Sequence, residues 1–437
     1  MSMQKLYEMN GAPCKCGKEH TFSARVISGS GVISQLPAIL KEYNVKKAYV
    51  ISDINTWKAA GEQVCALLSE NGFKYTSHCF QQDMIEPDEH SVGSAIMHYE
   101  HDCDLVIGVG SGVINDIGKI VSAMADKPYI IVGTAPSMDG YASATSSMTR
   151  DNLKISLNSK SAEVVIGDTD ILCQAPLKML KSGLGDMIAK YVSICEWRIA
   201  HLITGEYYCE EVAALIRSAL KGCIDQAEGL MQRDPAAVSA VFEGLVIGGV
   251  AMKYAGLSRP ASGVEHYISH ILDMRGVEFG TPIELHGLQC VAGTMIAVKL
   301  YEKIKEITPD KAKALAYAEQ FDYDVWAKEM QDFLGKGAES MIALEKKEKK
   351  YDVALHRERL EVILQNWDTI LQIIEEEIPS AAELEQLLDA LEAPKCLAHV
   401  GTDDSELPII FKCTKDIRDK YVLSRLAWDL GIIEEII

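Results

Sequence analysis

The sequence is short of basic residues: 43 Lys and Arg stand against 63 Asp and Glu among 437 residues, for a formal net charge of −20. A nucleic-acid-binding protein usually presents a basic face, so this deficit argues against a nucleic-acid partner. It does not exclude a small anionic substrate, because a local pocket can be positive on an acidic protein. We also find no signal-peptide-type apolar run in the first twenty residues and no apolar segment of membrane length.

A repeating cysteine spacing is absent as well. The twelve cysteines are scattered through a long chain, which is typical of reduced thiols in the cytoplasm. The heptapeptide CKCGKEH holds Cys14, Cys16 and His20 close together, but C-x-C is not the usual spacing of a zinc site and no second ligand pair lies nearby. We interpret it as the turn that leads into the first domain.

The first third of the chain alternates strand-like and helix-like segments. Apolar strand candidates at 45–53, 103–110 and 129–134 are separated by segments with helical periodicity, which predicts right-handed crossovers and a mainly parallel sheet. A β-hairpin is expected in NLKISLNSKSAEVVIGDTDIL, with its turn at 158–160. From about Gln174 the periodicity is helical, so we place a domain boundary near residue 175.

The segment GVGSGVINDIGK, from Gly108 to Lys119, lies where a strand meets a helix. Glycine at such a turn lets backbone N–H groups approach a phosphate, although it is also common for steric reasons alone. The third glycine of the G-x-G-x-x-G pattern is missing, because Val113 stands in its place. Asp53 ends an earlier strand, where it could bond ribose hydroxyls or simply cap a helix.

A polar loop, GTAPSMDGYASATSS, follows the strand that ends near residue 133. Loops at the carboxyl ends of parallel strands are where open α/β sheets bind ligands. Asp139 in this loop could bond a polyol hydroxyl, and the alternative is a Ser/Gly-rich connector with an Asx turn.

The helical half holds the strongest chemical signal. Asp186 precedes Lys190 by four residues, His266 precedes His270 by four, and His286 follows a proline-containing loop. One carboxylate and two imidazoles suit Zn²⁺, Fe²⁺ or Ni²⁺, and three protein ligands leave positions open for a substrate oxygen. The pattern therefore indicates a catalytic metal site.

These motifs together resemble the superfamily of glycerol dehydrogenases, dehydroquinate synthases and iron-type alcohol dehydrogenases. GVGSGVINDIGK, TAPSMDGYAS, GLGDMIAK, EHYISH and LHG occur in that family's order, and the tail KDIRDKYVLSRLAWDLGIIEE is similar to the bacterial glycerol-1-phosphate dehydrogenases. The resemblance implies a dehydroquinate synthase-like fold. Residues 1–175 would form a Rossmann-like dinucleotide-binding domain with a parallel sheet, and residues 176–437 an all-helical metal-binding and substrate domain.

Carried over by position, the resemblance implies a role for each motif. The metal would be bound by Asp186, His266 and His286. The substrate would be contacted, or a proton relayed, by Asp139 and His270. The dinucleotide, NAD(H) or alternatively NADP(H), would be bound by Asp53, Gly108, Gly110, Ser111, Gly112, Asp116, Thr134 and Ser137.

The implied reaction is the reversible reduction of dihydroxyacetone phosphate to sn-glycerol 1-phosphate. Arg275 and Lys154 are candidates to hold the substrate phosphate. The alternatives are a glycerol or other polyol dehydrogenase, a dehydroquinate synthase-type lyase and a non-catalytic relative. A homodimer and a place in phospholipid metabolism complete the expectations.

Overall fold

The structure is a computed structural model that describes residues 2–82, 84–150 and 153–437. The chain forms two compact units. The first unit consists of Met1–Met187 and Ala214–Leu257, and the second of Ile188–Ala213 and Ser258–Ile437.

The first unit is built on a six-stranded sheet in the order β1-β8-β5-β4-β2-β3. Every pair of neighbours in it is parallel, with Ile51 opposite Gly108 and Gly108 opposite Ile131. The predicted parallel sheet is therefore confirmed. The strands are β1 (Arg25–Gly29), β2 (Lys47–Asp53), β3 (Lys74–Phe80), β4 (Leu105–Gly110), β5 (Tyr129–Gly133), β6 (Thr145–Arg150), β7 (Leu153–Asn158) and β8 (Val164–Asp168).

The central strands are apolar at nearly every position because helices cover both faces of a parallel sheet. All residues of β4, β5 and β8 are buried. Val50, Ile107 and Ile130 pack with Leu40 and Val64 in one apolar core. The helices of this part are α1 (Ser2–Met9), α2 (Leu36–Glu42), α3 (Ile54–Thr56), α4 (Glu62–Glu70), α5 (Glu89–Met97), α6 (Gly112–Ala125), α7 (Thr169–Leu172) and α8 (Leu177–Ile188).

The predicted hairpin is wrong in its turn and its pairing. β6 pairs antiparallel with β7, from Thr145 opposite Asn158 to Arg150 opposite Leu153, so the connection falls at 151–152, outside the described residues. Asn158 instead ends β7, and residues 159–160 follow the strand. The apolar segment Val164–Asp168 becomes β8, because burial between β1 and β5 covers all its side chains.

After residue 177 the described chain contains helices and no strand, as its periodicity predicts. The last strand, β8, ends at Asp168. The domain boundary at residue 175 and the division of cofactor and metal binding between the two domains stay predictions. The helices are α9 (Lys190–Thr204), α10 (Glu210–Ile224), α11 (Ala227–Leu230), α12 (Pro235–Ala255), α13 (Val264–Phe279), α14 (His286–Lys305), α15 (Lys311–Glu319), α16 (Tyr323–Leu334), α17 (Gly337–Glu348), α18 (Val353–Gln365), α19 (Trp367–Glu377), α20 (Ala381–Ala390), α21 (Leu407–Thr414), α22 (Leu423–Asp429) and α23 (Ile433–Ile436).

The expectation that the chain has no apolar segment of membrane length is wrong for helix α12. Its 21 residues are long and apolar enough to cross a membrane by length and composition alone. In the structure 67% of its most apolar window is buried, and buried core helices meet the same criterion.

Candidate active site

The sheet order creates a topological switch point between β2 and β4. The chain leaves β2 towards β3 on one side and leaves β4 towards β5 on the other. Ligands of open α/β sheets bind where neighbouring connections diverge in this way, beyond the carboxyl ends of the strands. Asp53 ends β2 and Gly110 ends β4, so two predicted cofactor residues lie at this edge of the sheet.

Asp53 acts as the N-cap of α3. Its Oδ1 accepts hydrogen bonds from the backbone N–H groups of Asn55 (2.8 Å) and Thr56 (2.9 Å), and the Thr56 hydroxyl completes a capping box. The capping alternative is thus observed. A ribose contact remains a prediction, and it would use the second carboxylate oxygen, Oδ2.

The glycines of β4 are required by packing. A Cβ at Gly108 would lie 2.3 Å from the Tyr129 hydroxyl, and one at Gly110 would lie 2.5 Å from Cβ of Ile114 on α6. Helix α6 therefore begins pressed against the end of β4, at Gly112. N–H groups in the first turn of a helix have no acceptor within the helix, so this end of α6 suits a phosphate, although the contact itself stays a prediction.

Hydrogen bonds join this turn to the polar loop after β5. The Ser111 and Ser137 hydroxyl oxygens are 2.6 Å apart, and the Thr134 N–H donates to the Gly110 carbonyl over 3.1 Å. All three side chains, those of Ser111, Thr134 and Ser137, are buried. The structure thus brings predicted cofactor residues from two separate motifs into one network.

Asp116 is predicted to support the turn, and its carboxylate lies 2.8 Å from the ammonium of Lys119 one helical turn on. The Lys119 side chain is fully buried, and its Nζ donates to the Thr145 carbonyl over 2.5 Å. The hydrogen bond from Lys119 therefore attaches α6 to β6, and Asp116 neutralises the buried ammonium. Lys119 ends the quoted glycine motif, but its spacing alone does not identify this role.

Two predicted residues of the first unit, Asp139 and Asp186, are in direct contact. The Asp139 N–H donates to Oδ2 of the fully buried Asp186 over 3.0 Å. Helix α8 approaches the loop so closely that a Cβ at Gly183 would lie 1.8 Å from the Pro136 carbonyl oxygen. The glycine thus permits the approach that brings the two aspartates together.

In the second unit, His266 on α13 is oriented by its neighbour Glu265. The Glu265 carboxylate oxygen Oε1 lies 2.7 Å from Nδ1 of His266 and also accepts the Gly263 N–H over 2.7 Å. An imidazole that donates from Nδ1 presents the lone pair of Nε2, and carboxylates commonly orient metal-binding histidines in this way. The sequence pattern did not single out Glu265.

His286, at the start of α14, and Cys290, one turn later, join His266 in a cluster. The potential ligand atoms of these three residues all lie within 4.8 Å of one another. Two imidazoles and a thiol suit a transition-metal ion, so the residues present fit the expected group. Cys290 was missed, and its signal was the spacing of four residues from His286.

His270 lies beside the same cluster, with its ring 6.1 Å from that of His286. Burial and the charges of His286 and His266 lower its pKa well below the usual range, so the imidazole is neutral. Burial raises the pKa of the Cys290 thiol, but His266 and His286 outweigh this effect and lower it overall. The roles of these groups towards a substrate remain predictions.

The structure does not single out either of the two residues that were predicted to hold the substrate phosphate. Arg275 donates to the Phe333 carbonyl over 2.7 Å and pairs with Glu406 over 3.0 Å, so a phosphate would compete with that carboxylate. The side chain of Lys154 lies outside the described residues.

The chain is similar to known proteins along most of its length. Residues 27–176 match the family model for iron-containing alcohol dehydrogenase. The glycerol-1-phosphate dehydrogenase (NAD(P)+) of Halalkalibacterium halodurans is 29% identical over 398 residues, which are 90% of this chain and 89% of that protein. The Bacillus licheniformis protein of the same name is 32% identical over 296 residues, or 67% of this chain and 74% of that protein. The chain belongs to the glycerol-1-phosphate dehydrogenase family, and the predicted resemblance is confirmed.

Solved structures support the fold. The glycerol dehydrogenase of Schizosaccharomyces pombe superimposes with a TM-score of 0.60 at 16% identity, covering 96% of this chain and 91% of that chain. The α/β plus all-helical fold class is thereby confirmed.

Proposed function

We propose that this chain reduces dihydroxyacetone phosphate to sn-glycerol 1-phosphate with NADH or NADPH, and catalyses the reverse reaction. The observation that carries the proposal is the cluster of His266, His286 and Cys290, backed by Glu265, in a member of this family. Hydride would pass from C4 of the nicotinamide to C2 of the ketone, and a proton would complete the new hydroxyl group.

The dinucleotide is proposed to bind at the edge of the sheet where β2 and β4 end. The first turn of α6 would receive the pyrophosphate, and Asp53 a ribose hydroxyl. Because a carboxylate repels a 2′-phosphate, Asp53 favours NAD(H) over NADP(H). The proposed contacts are those predicted from the sequence: Asp53, Gly108, Gly110, Ser111, Gly112, Asp116, Thr134 and Ser137.

The proposed metal ligands are Asp186, His266 and His286, with Cys290 as a further donor. When bound, a divalent ion supplies Lewis-acid polarisation of a carbonyl oxygen. His270 is proposed to contact the substrate or to relay a proton from solvent to the new hydroxyl group, since a neutral imidazole offers one N–H donor and one acceptor nitrogen. Asp139 is proposed to contact the substrate hydroxyl groups.

The decisive experiment follows NADH oxidation by the purified protein supplied with Zn²⁺, Ni²⁺ or Fe²⁺ and dihydroxyacetone phosphate. Turnover supports the proposal. Turnover confined to the glycerol/NAD⁺ pair would instead assign the chain to polyol dehydrogenation. Phosphate release from a heptulosonate phosphate without net NADH consumption would assign it to the lyases.

A cytoplasmic location and a homodimer are further proposals. All twelve cysteines are described, and none forms a disulfide, which supports a reducing compartment. Light scattering on the purified chain tests the dimer, and labelled dihydroxyacetone phosphate traced into lipid tests a role in phospholipid metabolism.

A further inference from the structure

The heptapeptide CKCGKEH folds into a tight turn at the start of the first unit. Pro13 and Glu19 form an antiparallel bridge, and the Gly17 N–H donates to the Cys14 carbonyl over 3.0 Å. Gly17 has a φ of +82°, in the left-handed region that glycine adopts without strain. The turn folds the chain back on itself and brings the side chains of Cys14, Cys16 and His20 together.

The distances between the potential ligand atoms of these side chains are compatible with a tetrahedral zinc site. The potential ligand atoms of Cys14, Cys16 and His20 lie within 4.8 Å of one another, and Cys16 Sγ is 3.4 Å from His20 Nε2. With Zn–S of about 2.3 Å and Zn–N of about 2.1 Å, two donors on a tetrahedron are about 3.6 Å apart. Cys16 and His20 are therefore already spaced as two ligands of one zinc ion, and Cys14 Sγ lies no more than 4.8 Å from either ligand atom.

His20 is held in the orientation that a metal ligand needs. Its side chain is 1% exposed, and its Nδ1 lies 3.1 Å from the Tyr254 carbonyl oxygen at the end of α12. Donation from Nδ1 to this carbonyl presents the lone pair of Nε2 to Cys16 Sγ. A backbone carbonyl behind a histidine is a common outer partner of metal ligands.

We propose that Cys14, Cys16 and His20 bind a structural Zn²⁺ ion that is separate from the candidate active site. Two thiolates and an imidazole favour zinc among the common divalent ions, and one further donor completes the tetrahedron. The turn predicted from the sequence is observed, and the proposed ion gives it a metal-binding role in addition. It does not rest on the proposed function.

The proposed ion reinforces an existing attachment of the amino-terminal segment to α12. The Tyr254 hydroxyl donates to the Leu6 carbonyl over 3.0 Å, and the Lys18 ammonium lies 3.5 Å from the Ala255 carbonyl oxygen. Phe22 also packs edge-on against the Tyr254 ring. Loss of the ion should therefore loosen α1 and the heptapeptide from the end of α12.

The test measures zinc per chain in full-length protein that carries His266→Ala and His286→Ala, so that the other candidate site contributes nothing. We expect one tightly held zinc ion in this background and its loss when Cys14→Ser and Cys16→Ser are added. The matched control adds Cys79→Ser and Cys396→Ser, which removes two partly exposed thiols elsewhere and should retain the ion.

X-ray absorption at the zinc edge of the unsubstituted protein, loaded with zinc alone, keeps the test decisive if a variant does not fold. Two or three sulfur neighbours at about 2.3 Å would support the site, since the catalytic cluster offers a single thiol. Nitrogen and oxygen neighbours only, or equal zinc in the Cys14/Cys16 variant and its control, would overturn the proposal.

Discussion

At the scale of single residues, the proposed metal-binding histidine His266 depends on a hydrogen-bond partner that the sequence motif does not reveal. His266 is recognisable from its spacing to His270, but the orientation of its ring comes from Glu265. Among 63 acidic residues, a glutamate next to a histidine carries no special signal. Cys290 offered only its spacing of four residues from His286, which is a weak signal because a buried thiol is more often a packing residue than a ligand.

We predict that Glu265→Gln weakens metal binding about 10- to 100-fold, because an amide orients the His266 imidazole less strongly than a carboxylate. Chelator competition with Zn²⁺ measures the affinity in protein that carries Cys14→Ser and Cys16→Ser, so that the other proposed zinc site does not contribute. Glu278→Gln, the same change later in α13, is the matched control and should leave the affinity unaltered. Equal affinities for both variants would contradict the proposed role of Glu265.

At the scale of elements, the close approach of α8 to the polar loop depends on Gly183. We predict that Gly183→Ala displaces the loop, because the new Cβ would overlap the Pro136 carbonyl oxygen. NADH oxidation should fall at least about 100-fold, as expected when reacting groups are misplaced by about 1 Å.

The control for this change is Gly222→Ala in α10. A Cβ there meets no atom within 4 Å, so the better helix propensity of alanine should raise the free energy of unfolding by about 0.5–1 kcal/mol and leave activity unaltered. Urea unfolding and the NADH assay on both variants distinguish the two effects. An active Gly183→Ala protein would show that the loop position is not critical.

Helices and strands could be predicted where a short stretch of sequence carries the hydrophobic pattern by itself. β2, β4 and β5 are apolar runs bounded by turn residues, and the helices after residue 177 repeat with helical periodicity. β8 was misassigned because its partners β1 and β5 are not its neighbours in sequence, and only burial between them identifies it. The close contact of Asp139 with Asp186 was likewise hidden, since it depends on how α8 packs rather than on any spacing.

Another element-scale prediction concerns Asp416, which joins several helices of the second unit. Its carboxylate accepts from the Trp326 indole over 3.0 Å and the Tyr351 hydroxyl over 2.6 Å, and pairs with Lys415 and Arg425 at 2.9 and 3.0 Å. We predict that Asp416→Asn lowers the free energy of unfolding by about 3–5 kcal/mol, because two buried cations lose their counter-ion. Urea unfolding at pH 7 measures the loss, and a difference below about 1 kcal/mol would contradict it.

At the scale of the whole molecule, a pair of buried carboxylates makes stability depend on pH. Glu196 and Glu265 both lie close to Gly263, where a Cβ would be 2.5 and 2.7 Å from their respective Oε2 atoms. Burial and then the charge of Glu265 raise the pKa of Glu196 to about 8. Two backbone N–H groups, of Leu423 and Val264, donate to the Glu196 carboxylate but do not cancel the shift.

The sign of the effect follows from proton uptake. Between about pH 4.5 and 8 the folded chain holds a proton on Glu196 that the unfolded chain has already released, so this group lowers stability as the pH rises through that window. Below the window the proton is bound in both states, and above it Glu196 is ionised in both states, so the full cost of burying its charge is present.

We therefore predict that the melting temperature of the metal-free protein falls between pH 6 and 9, and that Glu265→Gln makes this fall smaller. The amide removes the neighbouring charge, so the pKa of Glu196 moves back towards its ordinary value while the desolvation by burial remains. Differential scanning calorimetry across the range, with Glu278→Gln as the control, measures both slopes. Parallel slopes for all three proteins would show that the charge at residue 265 does not raise the pKa of Glu196, because a group that feels no neighbouring charge titrates identically when that neighbour becomes an amide.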